Sequence, residues 1–113
     1  MNHNTEMLDL TIAIPTRNHP QYISYAFQYY LSRDFQCHFL VLDSSSDKQT
    51  RDICTEYYNK GLSIQYQNLA EETTPDEKER MAMQVFQTKY LWLCGDGIVI
   101  KKEMLASGLF CTN

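Results

Sequence analysis

Three short polar clusters hold the residues of this chain that could do chemistry: Pro15, Thr16, Arg17 and Asn18; Asp43, Ser44, Ser45, Ser46 and Asp47; and Gly95, Asp96 and Gly97. Carboxylates, hydroxyls, an amide and a guanidinium suit the binding of phosphates, sugar hydroxyls or a hard cation. The acids carry a condition. A bare carboxylate about 5 Å from a phosphate charge is repelled by roughly 3 kcal/mol at an effective dielectric near 20. Asp43 or Asp96 therefore serves such a ligand only through a bridging cation or by accepting from hydroxyls. The glycines beside Asp96 would let a ligand approach the backbone, and would equally serve a plain turn.

Other chemistries find less support. Cys37, Cys54, Cys94 and Cys111 form no CxxC pair. No Cys/His spacing suits zinc, and no cysteine has a recognisable catalytic partner. Neither GxxxxGK[ST] nor GxGxxG occurs, which argues against a phosphate-loop hydrolase or a Rossmann dehydrogenase. His19 and His38 fall at the starts of a helix and a strand, where a structural role is the simpler reading. Asp43 and Asp96 have a plain alternative as turn residues, Arg17 as a surface charge and Asp47 as a cap. Thr16 and Asn18 could equally be local hydrogen-bonders before a helix.

The elements that must position these clusters are read from periodicity. Residues 10–15 read as a strand closed by Pro15. Behind Pro20, suited to a first helical turn, Tyr22, Ile23, Ala26, Phe27, Tyr30 and Leu31 recur at helical spacing. Residues 38–43 are apolar until Asp43, as in a strand buried on both faces. Ser46 with Gln49 predicts a capping box opening a second helix, with Ile53, Cys54, Tyr57 and Tyr58 on its apolar side and Gly61 as its stop. Residues 62–67 read as a third strand. Thr74, Pro75 and Glu77 start a third helix whose buried stripe is Met81, Ala82, Val85 and Phe86. Residues 90–94 form a fourth strand, 98–100 a short extended piece and 102–109 a last helix.

This βαβαβαβ order predicts a mainly parallel sheet with right-handed crossovers and helices on its faces. All three polar clusters then fall at the carboxyl ends of strands, where such sheets bind ligands near the reversal of strand order.

A chain of 113 residues with 43% hydrophobic content, eight Tyr and five Phe supports one domain with one real core. The net charge is −4 and the longest basic run is Lys101-Lys102, so no face for nucleic acid is expected. The first nine residues are polar, with Glu6 and Asp9 where an export signal would be basic and then apolar. No apolar run approaches the roughly 20 residues of a transmembrane span. The expected setting is the cytosol or the inner face of a membrane, with the cysteines reduced and mostly in the core.

Residues 11–18 (TIAIPTRN), 39–47 (FLVLDSSSD) and 88–96 (TKYLWLCGD) resemble, in order and separation, three successive blocks of family 2 glycosyltransferases. The likeness runs from about residue 9 to residue 109. It implies a three-layer α/β/α fold of GT-A type, with residues 1–8 as a flexible N-terminus and 9–113 as the nucleotide-sugar-binding half. By the same resemblance, the loop of Pro15, Thr16, Arg17 and Asn18 wraps the nucleotide. Asp43 and Ser44 lie against its base or ribose. Asp96 meets the ribose and a divalent cation, Mg²⁺ or Mn²⁺, that bridges the diphosphate. The implied activity is sugar transfer from a UDP-linked donor to a saccharide or lipid-linked acceptor, as in polysaccharide biosynthesis.

The chain also departs from that pattern. Gly97 and Ile98 stand where further acids are usual, which puts metal binding in question, and three serines replace the usual acid and glycine after Asp43. The acceptor half and its catalytic carboxylate have no counterpart among these residues, so the expectation is a truncated chain that binds better than it catalyses. A second reading is a non-catalytic binding or assembly module, forming a homodimer through an unpaired sheet edge. A flavodoxin-like receiver would want an acidic pair after its first strand, where Thr16, Arg17 and Asn18 stand.

Overall fold

The most apolar stretch of the chain becomes the centre of the sheet. Strand β1 (Leu10–Thr16) is buried along its length apart from half-buried Pro15. It pairs in parallel with β2 (His38–Asp43) on one side and β4 (Tyr90–Leu93) on the other. Strand β3 (Ser63–Asn68) continues the parallel ladder beyond β2, and β5 (Cys111–Thr112) adds an antiparallel edge to β4. The strand order is β3-β2-β1-β4-β5. The computed structural model describes residues 7–107 and 111–112.

Pro15 does not close β1 as expected, because the strand runs on through Thr16. Ala13 O accepts from Cys94 N, and Thr16 O from Ser44 N. Alternation along the strand therefore turns the Pro15 nitrogen to the β4 side, past the last residue of β4. A missing N–H there removes no ladder bond.

Alternation also sorts the core into two layers. Leu10, Ile12, Ile14, Phe39 and Val41 face α1 (Pro20–Ser32) and α2 (Gln49–Asn59), which bring Ile23, Ala26, Phe27, Tyr30, Cys54 and Tyr57. Ala13, Leu40, Leu42 and Leu91 face α3 (Pro75–Val85), which brings Ala82. The fold is thus the expected three-layer α/β/α arrangement with a mainly parallel sheet.

The start of α3 is a full capping box. Thr74 Oγ1 accepts from Glu77 N at 3.1 Å, and Glu77 Oε1 accepts from Thr74 N at 2.8 Å. The Thr74 N–H, followed by the Thr74 hydroxyl, holds the Glu77 carboxyl below its ordinary value. Gly61 ends α2 as expected, with a left-handed φ of 113°. Cys37, Cys54 and Cys94 are free and buried.

Several expectations need correction. No Ser46–Gln49 box opens α2: its N-cap is Lys48 and makes no side-chain cap. Asp47 Oδ1 takes the Gln49 N–H instead, at 3.0 Å, and Ser46 turns to Asn18. In the α3 stripe, Ala82 is buried, Met81 and Phe86 are half-buried and Val85 is 42% exposed. The last helix is a short 3-10 segment, Lys102–Ser107, and residues 108 and 109 lie outside the described residues. Strand β5 was not anticipated. The expected flexible N-terminus falls mostly on residues 1–6, also outside the described residues. Leu8, however, is tied down: its N–H donates to Gln36 O at 2.9 Å and its side chain packs on the core. No helix among the described residues is long and apolar enough to cross a membrane.

Candidate functional site

Strand order reverses beside β1. The chain moves from β1 to β2 and β3 on one side, then returns to β4 on the other. The crevice above the carboxyl ends of β1 and β4 is therefore the switch point at which open α/β sheets bind ligands. Thr16 ends β1, Asp43 is its register partner at the end of β2, and Asp96 follows β4. The three residues expected to gather at the strand tips do so.

Thr16 and Asp96 are in direct contact. Thr16, 3% exposed, donates from Oγ1 to Asp96 Oδ2 at 2.9 Å. The Asp96 side chain is 20% exposed and is presented by a turn in which Ile98 N donates to Gly95 O at 3.1 Å. His19 Nδ1 meets the same Oδ2 at 2.9 Å. Its ring is about half exposed and rests against Tyr22, with centroids 4.8 Å apart. Sequence reasoning favoured a structural role for His19, since nothing local shows that a residue 77 positions away will face it.

Asp43 is fully buried, and both carboxylate oxygens have protein donors. Tyr66 donates its hydroxyl to Oδ2 at 2.6 Å, while Ser45 donates both its N–H and its hydroxyl to Oδ1. Burial and this hydrogen bond to a carboxylate both push the Tyr66 phenol above its ordinary value. The Tyr66 phenol therefore keeps its proton at neutral pH and donates it to Asp43. In this arrangement Asp43 fixes the loop after β2 rather than facing a ligand.

Asn18 and Arg17 lie on the rim. Asn18 adopts the left-handed conformation, φ 56°, which asparagine tolerates better than most residues. From there its Oδ1 accepts from Ser46 N at 2.9 Å and Ser46 Oγ at 3.0 Å, while its own N–H donates to Ser45 Oγ at 2.8 Å. The loops after β1 and β2 are thereby joined. The Arg17 guanidinium, about half exposed, turns to Glu71: it donates to the carbonyl at 2.9 Å and lies 3.8 Å from the carboxylate.

Lys78 was missed altogether. It projects from α3 and is 3% exposed. Its ammonium donates to Thr16 O at 2.9 Å and to Ser44 Oγ at 2.6 Å. Burial pushes its pKa down, and the charge of Asp43 opposes that shift. A cation thus sits beneath the strand tips and ties β1 to the loop after β2. Ser44, fully buried, serves as its partner.

No group of three or more His, Cys, Asp or Glu is arranged for a metal among the described residues. The donors at Asp96 nevertheless fit a cation of the Mg²⁺ or Mn²⁺ type, which commonly takes one or two carboxylates and completes its shell from phosphates and water. One carboxylate, held by Thr16 and open on one side, meets that minimum.

A large cavity lies elsewhere. About 890 Å³ opens between α1 and residues 99–103, lined by Tyr25, Tyr29, Arg33, Val99, Lys101 and Glu103 among others. The strand-tip site is instead a shelf: Arg17, Asn18, Ser46, Gly95 and Gly97 are exposed around it.

No protein-family model and no curated protein matches the chain. Solved structures do. TarS 1–349 from S. aureus superposes with a TM-score of 0.75 at 24% identity, over 89% of this chain and 31% of that one. The same fragment in complex with UDP gives 0.74 at 23% identity, with the same coverage. A mannosyltransferase, PcManGT from Pyrobaculum calidifontis, in complex with GDP-Man and Mn²⁺, gives 0.74 at 16% identity over 90% of this chain and 31% of that one. The chain thus spans about a third of the length of these structures. At such identities the likeness shows the fold, an α/β domain of GT-A type.

Proposed function

We propose that the strand-tip shelf binds the nucleotide of a sugar-nucleotide donor, and that this chain is the nucleotide-binding portion of a family 2 type glycosyltransferase. The observation that carries this reading is the Thr16–Asp96 hydrogen bond at the switch point between β1 and β4. It holds a partly exposed carboxylate at the place where such sheets receive ligands. The structural neighbours solved in complex with UDP, UDP-GlcNAc and GDP-Man support a nucleoside diphosphate as the ligand class. A UDP-linked donor is the reading we adopt, with a saccharide or lipid-linked acceptor and a setting in the cytosol or at the inner membrane face.

The chain's own residues have distinct parts in this reading. Pro15, Thr16, Arg17 and Asn18 flank the nucleotide, and Arg17 would swing from Glu71 to meet a phosphate. Asp43 and Ser44 hold the floor of the loop after β2 through Tyr66 and Lys78. Asp96 accepts from ribose hydroxyls or holds Mg²⁺ or Mn²⁺. That cation, when bound, supplies positive charge to the departing diphosphate. The acceptor site and the base that deprotonates the acceptor belong to a further half of the enzyme.

Calorimetric titration of UDP with and without Mn²⁺ tests the reading. Binding that tightens with Mn²⁺ and weakens about tenfold or more in Asp96→Asn is expected, the scale of one lost charge-assisted contact. Absence of UDP binding in both conditions overturns it.

A second reading, a binding module that dimerises, draws on β3, a sheet-edge strand. An unpaired edge can template a second copy. Light scattering that finds only monomer removes that version.

A further inference from the structure

Resting on the nucleotide-site reading above, we infer that His19 and Asp96 form a mixed nitrogen–oxygen seat for a divalent transition metal, with His19 as the second protein ligand. The two side chains come from different loops, after β1 and after β4, and their donor atoms converge at 2.9 Å. That separation matches what a cation needs. Two cis ligands, each about 2.1 Å from an octahedral ion, lie about 3 Å apart. A hydrogen bond joins the two atoms. An ion seated to one side of the line between them would replace it once His19 carries its hydrogen on Nε2, so that both atoms offer it lone pairs.

The surroundings favour this exchange. Asp96 is fixed from below by Thr16 Oγ1, which leaves its orientation set before any ion arrives. The His19 ring is 53% exposed and leans on Tyr22, so it can turn slightly to aim Nδ1 at an ion without disturbing the core. Gly95, Gly97 and Asn18, all exposed, leave the outer side open for phosphate oxygens and water to complete the shell. Asp43, sealed under Tyr66 and Ser45, cannot join, and His38 stands at the opposite, amino end of β2.

The ligand pair sets selectivity. Magnesium takes oxygen ligands and gains little from imidazole, whereas imidazole binds later transition metals with rising strength from Mn²⁺ to Co²⁺. His19 should therefore matter little for Mg²⁺, more for Mn²⁺ and most for Co²⁺.

The test uses this chain, its His19→Ala variant and Asp96→Asn, with folding checked by circular dichroism. Mn²⁺ affinity is read by electron paramagnetic resonance and Co²⁺ affinity by visible absorption, each with and without UDP. UDP binding without metal is measured in parallel. The expected result is a loss of about tenfold or more in Co²⁺ affinity in His19→Ala, and a smaller loss for Mn²⁺. In the unmodified chain, the ¹⁵N resonance of His19 Nδ1 should move on adding diamagnetic Zn²⁺. Equal Co²⁺ affinity in His19→Ala and the parent overturns the inference, as does Zn²⁺ binding that leaves Nδ1 unmoved. So does a chain that binds UDP but neither metal, and in that case the nucleotide-site reading survives. Absence of both UDP and metal binding overturns the two together.

Discussion

The α1/α2 face of the sheet and the α3 face bury different things. Against α1 and α2, Phe27, Tyr30, Phe35 and Phe39 pack ring to ring, with centroids 4.8 to 5.3 Å apart. Against α3 lie the smaller buried side chains Ala13, Leu40, Leu42 and Leu91, with Leu69, Phe86 and Leu93 half-buried around them, together with the ammonium of Lys78. Aromatic burial makes the first face the main source of stability. The second face is thin enough for a lysine to reach through to the strand tips. The difference separates what holds the fold from what shapes the site.

Core truncation should test this division most strongly. Phe27→Ala is expected to cost about 3–5 kcal/mol in urea unfolding, whereas Phe86→Ala, half-buried on the α3 side, should cost less than half as much. Equal costs would break the contrast.

Lys78→Met comes next. It leaves Ser44 Oγ without the ammonium and Thr16 O with Ser44 N alone, at a cost of about 1–3 kcal/mol. The variant also carries a pH signature. The folded pKa of Lys78 lies below its ordinary 10.5, so between the two values the unfolded chain holds more protons than the folded one. Stability from this group therefore rises as pH climbs through that window, and Lys78→Met should flatten the rise. Urea unfolding repeated across the window reads it.

Smaller effects belong to the rim. Asn18→Gly keeps the left-handed backbone but removes the acceptor for Ser46, which should lower stability by about 1 kcal/mol. Asn18→Ala should cost more, because alanine resists that conformation. The buried thiols should show the least change of all. Burial, with help from the Asp43 charge, pushes Cys54 up to about 12, and burial with Asp96 pushes Cys94 up to about 11. Neither should alkylate in the native protein near neutral pH, as mass spectrometry of labelled peptides can check.

The two faces were not equally legible in the sequence. Helical spacing announced Ile23, Ala26, Phe27 and Tyr30 because their burial is apolar and periodic. The α3 stripe was misread because the residue one turn before Ala82 on the same face is Lys78, and a hydrophobic pattern cannot see a buried charge. Its i, i+4 spacing from Ala82 was the available signal. The strand tips were legible in which residues gather there, since a parallel sheet brings successive carboxyl ends together. They were not legible in what those residues touch. Ser46 fitted a capping box by local spacing, yet Asn18 of the preceding loop offers it two hydrogen bonds. Asp43 lost its outward face to Tyr66, which sits two strands from β1 and carries no local sign of the pairing.

The most direct test of the central claim locates the nucleotide on the molecule. In an amide NMR titration with UDP, the largest shifts should fall on Thr16, Arg17, Asn18, Ser44, Ser45, Asp96 and Gly97. Shifts gathered instead around Tyr25, Arg33 and Lys101, beside the cavity at α1, would contradict the account.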